Sequence, residues 1–219
     1  TCLLFLEKGY EVIAFDSLIN SELKTFCNIQ SLIKEKNPDL IKKFSFVKGD
    51  IRDKKKLSEV FINNRLKGDE IEGVIHFAGL KSVELSTHEP LLYWDFNVKG
   101  TINLLEIMED YNCNNIVFSS SAAVYGETSK TLLDECAILN PKNPYGDSKL
   151  AIEKILSSLS SSKDNWRIGI LRYFNPAGAH YSGKLGESPK SESENLFPKI
   201  YAVAASKKEK LFLNGSNWP

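Results

Sequence analysis

Residues 73–79 read Gly73-Val74-Ile75-His76-Phe77-Ala78-Gly79, a short apolar run that ends in two small residues. A run of this length without polar alternation is typical of a strand that is buried on both faces. Four more runs of the same kind are spread along the chain, at residues 12–15, 44–47, 116–118 and 168–171. We therefore predict five buried strands.

The segments between these runs have helical patterns. Apolar residues recur at helical spacing over residues 57–64, 98–108 and 150–159. Asp53 stands at an N-cap position, and Pro90 and Pro144 can each open a helix. Strands that alternate with helices imply right-handed crossovers and a parallel sheet. The sequence thus predicts a doubly wound, Rossmann-like α/β fold.

The pattern loosens from residue 176, where glycine, serine and proline predict a long loop before a helix over residues 195–205. We predict a dinucleotide-binding domain over residues 1–175 and the start of a smaller substrate lobe over residues 176–219. Residue 1 falls inside an apolar helical pattern. We therefore expect the first strand and its glycine-rich phosphate loop to lie upstream, and the rest of the lobe to lie downstream.

Composition narrows the functional classes. The 28 basic and 28 acidic residues cancel, which argues against nucleic-acid binding. No apolar run approaches the roughly 20 residues of a membrane-spanning helix. The four cysteines show no Cys-x-x-Cys spacing and no histidine cluster, so we predict no metal site. Unpaired cysteines suit a reducing compartment, and we expect a cytoplasmic protein.

Three residues suggest acid–base chemistry. Tyr145 and Lys149 are four residues apart on a predicted helix and so share one face. Ser121 follows a predicted strand and could bring its hydroxyl to them. A nearby ammonium and hydroxyl would let a phenol with an ordinary pKa of about 10 act as a base. We predict Ser121, Tyr145 and Lys149 as catalytic residues.

Further candidates lie where predicted strands end, the edge at which this fold binds ligands. Asp16 can accept hydrogen bonds from a ribose 2′-hydroxyl, which favours NAD over NADP, although it could instead cap the next helix. Asp50 and Ile51 occupy an equivalent place and could hold adenine. Phe77, Ala78 and Gly79 would let the backbone approach the cofactor. Together these ends predict a dinucleotide site.

Longer motifs carry a family resemblance. Tyr145-x-x-x-Lys149 with an upstream serine resembles the short-chain dehydrogenase/reductase superfamily, in its extended branch that acts on nucleotide sugars. Five strings make the resemblance specific, namely residues 49–52 (GDIR), 76–81 (HFAGLK), 119–126 (SSSAAVYG), 144–149 (PYGDSK) and 171–180 (LRYFNPAGAH). In order and spacing they are similar to the UDP-glucose 4-epimerases, and the similarity covers essentially the whole chain.

The resemblance implies an isomerase that interconverts UDP-glucose and UDP-galactose through a transient 4-keto sugar, with tightly held NAD. Tyr145 would take the proton of the 4-hydroxyl, Ser121 would relay it, and Lys149 would bind the nicotinamide ribose. Lys81 and Phe174 would contact NAD. The residues implied for the substrate are Lys81, Ser121, Tyr145, Asn175, Asn195, Leu196, Phe212 and Asn214. The family also implies a homodimer formed by paired helices.

Alternatives stay open. The related 4,6-dehydratases carry an Asp-Glu pair in this strand-end motif, whereas this chain has Ser121 and Ala122 there and no acid pair. A 4-epimerase for UDP-N-acetylhexosamines or UDP-uronic acids remains an alternative, because the residues that select the sugar are expected beyond residue 219. A non-catalytic NAD-binding scaffold is an alternative of another class. We expect these 219 residues alone to be inactive.

Overall fold

The computed structural model describes residues 1–127, 132–187 and 196–212. All five predicted strands are present. They are β1 (Val12–Asp16), β2 (Phe44–Lys48), β3 (Val74–His76), β4 (Asn115–Ser121) and β5 (Arg167–Tyr173).

The strands form two sheets, one of β1 and β2 and one in the order β3-β4-β5. Strands β3, β4 and β5 are parallel, with Ile116 paired to Val74 on one side and to Ile168 on the other. A common doubly wound order is 3-2-1-4-5-6, in which the first strand separates the second from the fourth. A division into β2-β1 and β3-β4-β5 is the one expected of this sheet without its first strand. The predicted fold class is confirmed.

Most helices lie where the sequence pattern predicts them, and two, Leu23–Lys36 and Val83–His88, are additions. They are α1 (Cys2–Glu7), α2 (Leu23–Lys36), α3 (Lys54–Leu66), α4 (Val83–His88), α5 (Pro90–Tyr93), α6 (Gly100–Asp110), α7 (Pro144–Ser162) and α8 (Leu196–Ala204). The Asp53 carboxylate caps α3 by accepting from the Lys56 N–H at 2.9 Å, as predicted. Helix α2 was not predicted, although Ile29, Leu32 and Ile33 are buried at helical spacing within it.

The helix predicted to open at Pro90 is interrupted by a segment of different helical geometry. A π-helical segment, Trp94–Lys99, separates α5 from α6. Such segments frequently occur at functional sites, and this one contains buried Asn97. Short 3₁₀ turns occur at Pro38–Lys43 and Ala122–Val124.

The described chain divides into two compact units. One contains residues 1–11, 18–44 and the described residues after 176, and α1 packs on α2 within it. The other contains residues 12–17 and 45–176 and holds both sheets. Its core includes Met108, Phe118 and Leu156. The functional division at residue 175 stays a prediction. Among the described helices, none has both the length and the apolarity needed to cross a membrane.

Candidate active site

Local chemistry fixes the start of α7. The Asn143 side chain accepts a hydrogen bond from the Gly146 N–H at 2.8 Å, and Pro144 occupies the first helical turn. A Cβ on Gly146 would lie 2.8 Å from the carbonyl oxygen of Ala123, so only glycine allows the helix this close to the segment after β4. The first turn of α7 is thereby held against the end of β4.

That close approach brings Ser121 and Tyr145 together. Ser121 ends β4, Tyr145 lies in the first turn of α7, and the Ser121 hydroxyl is near enough to the Tyr145 phenol to oppose the rise that burial causes in its pKa. The Ser121 hydroxyl oxygen also accepts from the Ala123 N–H at 3.2 Å. The serine hydroxyl is therefore held in place by the backbone turn that follows it.

Lys149 lies one turn further along α7 and is 5% exposed. Its ammonium donates to the Ser119 carbonyl at 2.8 Å and lies 5.9 Å from the Tyr145 ring centroid. Burial lowers the pKa of Lys149 to about 8. The structure thus gathers all three predicted catalytic side chains at the carboxyl end of β4.

The protonation of Tyr145 differs from the sequence-based expectation. Burial raises the pKa of the Tyr145 phenol, and the hydrogen bond with Ser121 opposes that rise. Desolvation penalises a phenolate, and the Lys149 ammonium is directed at a carbonyl rather than at the phenol oxygen. The chain's own residues therefore keep Tyr145 protonated at neutral pH.

A buried polar network lies beside the lysine and was not predicted. The Asn97 amide accepts from the Leu80 N–H at 2.8 Å and donates to the Leu80 carbonyl at 3.1 Å. It also donates to the Ser148 hydroxyl at 3.0 Å, while Thr101 donates to the Asn97 carbonyl at 2.5 Å. A signal was available, because Asn97 and Thr101 interrupt the apolar pattern of a helix.

This network shapes the loop after β3. Gly79 has φ +152°, and a Cβ there would lie 2.8 Å from the Asn97 side-chain oxygen. Phe77 and Ala78 are exposed beside it. The loop therefore presents backbone without a side chain next to the buried Lys149, which fits the close approach of a dinucleotide.

After β2, in the other sheet, Arg52 forms a cluster with the carboxylates of Asp50 and Asp95. Both Asp50 carboxylate oxygens accept from the Arg52 guanidinium, at 3.0 and 2.7 Å, and this holds the pKa of Asp50 below its usual range. Arg52 also donates to Asp95 at 2.6 Å and lies 3.3 Å from the Phe96 ring centroid. Asp50 is therefore an ionised group held by Arg52.

The remaining candidates are spread over the chain. Asp16 ends β1, and Ile51 is buried with its carbonyl accepting from Asn103 at 3.3 Å. Lys81, Phe174 and Asn175 are exposed, and the Phe174 ring stacks on Tyr125 with centroids 6.3 Å apart. Leu196 and Phe212 are exposed and belong to the other unit, while Asn195 and Asn214 lie outside the described residues. Their binding roles stay predictions.

Fold and site together define a class. A parallel doubly wound sheet, a serine at a strand end and a tyrosine–lysine pair one turn apart are features of the extended short-chain dehydrogenase/reductase type. The profile of the family described as GDP-mannose 4,6 dehydratase matches residues 1–217. The chain belongs to this family.

Similar proteins are epimerases, which confirms the resemblance noted in the sequence. The chain is 41% identical over 219 residues to the bifunctional UDP-glucose 4-epimerase and UDP-xylose 4-epimerase 3 of Arabidopsis thaliana, covering 100% of this chain and 60% of the relative. It is 40% identical to the UDP-glucose 4-epimerase of Bacillus subtilis (strain 168), covering 100% of this chain and 61% of that protein. The chain therefore spans about 60% of the length of these curated relatives.

A solved structure supports the same relationship. The UDP-glucose 4-epimerase from Bifidobacterium longum, in complex with NAD+ and UDP, is 38% identical with a TM-score of 0.85. The similarity covers 95% of this chain and 59% of that one.

Proposed function

We propose that the whole protein interconverts UDP-glucose and UDP-galactose by 4-epimerisation with bound NAD. The observation that carries the proposal is that Ser121 at the end of β4 is brought to Tyr145 at the start of α7, with the buried Lys149 one turn further along that helix. Relatives about 40% identical are named UDP-glucose 4-epimerases, and one solved relative contains NAD+ and UDP.

The residues divide the chemistry of C4 between them. Bound NAD would supply reversible hydride transfer at C4 of the sugar, and the residues beside it would handle the proton. Tyr145 removes the 4-hydroxyl proton and later gives it back. Ser121 hydrogen-bonds the 4-oxygen and the phenol, which keeps the proton path short.

Electrostatics decide whether Tyr145 can act as a base. Moving a phenol pKa from about 10 to about 7 needs roughly 4 kcal/mol of differential stabilisation. Burial works in the opposite direction here. A positive nicotinamide ring beside the phenol and the Lys149 ammonium would stabilise the phenolate in this desolvated place. Base strength is therefore coupled to the oxidised cofactor.

The cofactor would be held by the loop after β3 and by the buried lysine. Gly79 leaves the backbone bare, Phe77 offers an exposed ring, and Lys149 would bind the nicotinamide ribose. Asp16 would hold the adenine ribose hydroxyls, and its carboxylate would repel a 2′-phosphate.

We do not propose dehydration, although the description of the family names a dehydratase. Eliminating water from a 4-keto sugar requires an acid and a base next to the serine. Ala122 and Ala123 occupy that segment here. Epimerisation needs only the proton carrier Tyr145 and its partner Ser121.

The name of one relative suggests a second substrate. The Arabidopsis protein is named for UDP-glucose and UDP-xylose. We therefore propose a substrate panel that includes UDP-xylose, UDP-N-acetylhexosamines and UDP-uronic acids. A protein that binds NAD yet turns over none of these would instead be a scaffold.

We also propose a homodimer in the cytoplasm. Helices α6 and α7 form an open groove with apolar side chains from both, Ile102, Leu105, Ile155 and Leu159. Ile102 is 39% exposed although it lies in an apolar stripe, and a second copy of the groove would cover it. The four free cysteines suit a reducing compartment.

An isotope experiment tests the reaction. The whole protein would be incubated with UDP-galactose deuterated at C4, and the UDP-glucose formed would be analysed by mass spectrometry and NMR. Return of the same hydride predicts that deuterium stays on C4. Formation of UDP-glucose that has lost the label to solvent would contradict the proposed chemistry, and the absence of any UDP-glucose would contradict the proposed substrate.

A further inference from the structure

A largely buried ion pair, Glu153–Arg172, contacts Ser120, the residue before Ser121. Glu153 is on α7, two turns after Tyr145, and is 5% exposed. Arg172 is on β5, and its guanidinium meets both carboxylate oxygens, with Nη2–Oε2 at 2.8 Å and Nε–Oε1 at 3.1 Å. This forked arrangement fixes the orientation of both groups. It therefore locks α7 to β5.

The pair also holds residues on both sides of Ser121. The buried Ser120 hydroxyl donates to Glu153 Oε1 at 2.5 Å. Arg172 Nη1 donates to the Tyr125 hydroxyl at 3.0 Å. Ser120 immediately precedes Ser121, and Tyr125 follows it by four residues. The strand end that carries Ser121 is thus tied to α7 through Ser120, and the segment after it is tied to β5 through Tyr125.

Arg172 makes two further connections. Its third contact, from Nη1 to the Glu135 carbonyl at 3.1 Å, holds the segment that leads to α7. The Tyr125 ring that Arg172 contacts stacks on Phe174, with ring centroids 6.3 Å apart and planes inclined by 30°. The cluster therefore reaches from the proton-handling pair to a predicted cofactor contact.

Stability alone does not account for this cluster. The cost of removing two charges from water largely offsets their attraction, so a buried ion pair contributes little net stability. What the fork provides is a single geometry. A shift of β4 against α7 would move the Ser121 hydroxyl away from the Tyr145 phenol.

We propose that Glu153 and Arg172 are positioning residues for the reaction, which act through Ser120 to hold the Ser121 hydroxyl on the Tyr145 phenol. The pair touches neither substrate nor cofactor in this role. The inference rests on the proposed function for its catalytic consequence, but the geometry it sets can be measured without turnover.

The test compares three variants of the whole, NAD-loaded protein. Ser120→Ala removes one donor and leaves the ion pair, while Arg172→Lys keeps the charge and loses the fork. Ser157→Ala is the matched control, because this serine is on the same helix and its hydroxyl donates only to the Glu153 backbone carbonyl at 2.8 Å. Circular dichroism and NAD content establish that each variant is folded and loaded.

The first readout is the titration of Tyr145, followed by ¹³C NMR of ζ-labelled tyrosine and assigned with Tyr145→Phe. Losing the interaction with the Ser121 hydroxyl should lower the acid dissociation constant of Tyr145 by up to about fivefold. The titration midpoint of Tyr145 in Ser120→Ala and Arg172→Lys should therefore rise by up to about 0.7 pH unit. The second readout is the pH dependence of kcat, whose rise should move to higher pH by the same amount while KM stays unchanged.

Each outcome has one meaning. A raised Tyr145 midpoint in Ser120→Ala, with Ser157→Ala like the wild type, supports the positioning role. A midpoint that matches Ser157→Ala in both variants overturns it, even if kcat falls. The titration reports on the positioning role whether or not the wild type interconverts UDP-glucose and UDP-galactose, so failure of the proposed function would be recognised separately.

Discussion

His76 makes the protein sensitive to acid before its carboxylates begin to titrate. It ends β3 immediately before the predicted cofactor loop, and it is 3% exposed. Its Nε2 lies 2.8 Å from the Thr101 hydroxyl oxygen. Because that hydroxyl donates to the Asn97 carbonyl, the imidazole must donate through Nε2–H. The network therefore fixes a proton on Nε2, and burial disfavours a second proton on the ring.

The size of the effect follows from the pKa. Burial, with a smaller contribution from the Lys149 ammonium, lowers the pKa of His76 from 6.5 to about 3. The unfolded chain binds a proton below pH 6.5 while the folded chain does not, so stability is full above pH 6.5 and is lost as the pH falls towards 3. At 1.36 kcal/mol per unit, the free energy of unfolding should fall by about 2 kcal/mol between pH 7 and pH 5.

Urea unfolding of the whole protein at pH 7 and pH 5 measures this loss. About 2 kcal/mol corresponds to a shift of about 1 M in the urea midpoint. His76→Gln, whose amide can still donate to Thr101, should be less stable at pH 7 but should lose most of the shift. His88→Gln is the control, because His88 is exposed. An unchanged midpoint shift in His76→Gln would refute the role assigned to this histidine.

Three further variants test the site and the interface. Gly79→Ala should weaken NAD binding, because its Cβ would lie 2.8 Å from Asn97 and its φ of +152° strains alanine by about 1–3 kcal/mol. Calorimetry measures the affinity, and the control Gly169→Ala should bind NAD normally. Equal affinities of the two variants would contradict the role of the loop after β3 in binding NAD. Lys149→Met should reduce kcat while retaining the fold. Wild-type activity should decline above about pH 8 as Lys149 loses its proton, and activity that stays constant above pH 8 would count against this role. Ile102→Asp should yield monomers in sedimentation, whereas Leu66→Asp, 80% exposed on α3, should not.

Local patterns were sufficient for most of the fold. All five strands are short apolar runs, and α7 begins at Pro144 as predicted, since proline is favoured in the first helical turn. Ser121 and Tyr145 could be paired in advance because the fold class brings strand ends and helix starts to one edge. These predictions required no knowledge of distant contacts.

Tertiary partners were not predictable in the same way. Glu153 interrupts an apolar helical stripe, and only the fold reveals that Arg172 and Ser120 satisfy its carboxylate. Asn97 likewise interrupts an apolar pattern within the π-helical segment Trp94–Lys99, but only the fold reveals that the distant Leu80 backbone holds its amide. The raised pKa of Tyr145 depends on burial, which spacing along a helix does not specify.

The Tyr145 phenol carries the proton in the hydride-transfer epimerase proposed for the whole protein. The most direct test of this role is Tyr145→Phe in the whole protein, assayed for conversion of UDP-galactose to UDP-glucose alongside bound NAD content. We predict that NAD stays bound and turnover falls by at least about 100-fold, as expected for loss of a general base. Turnover within a few-fold of wild type, with NAD bound, would contradict it.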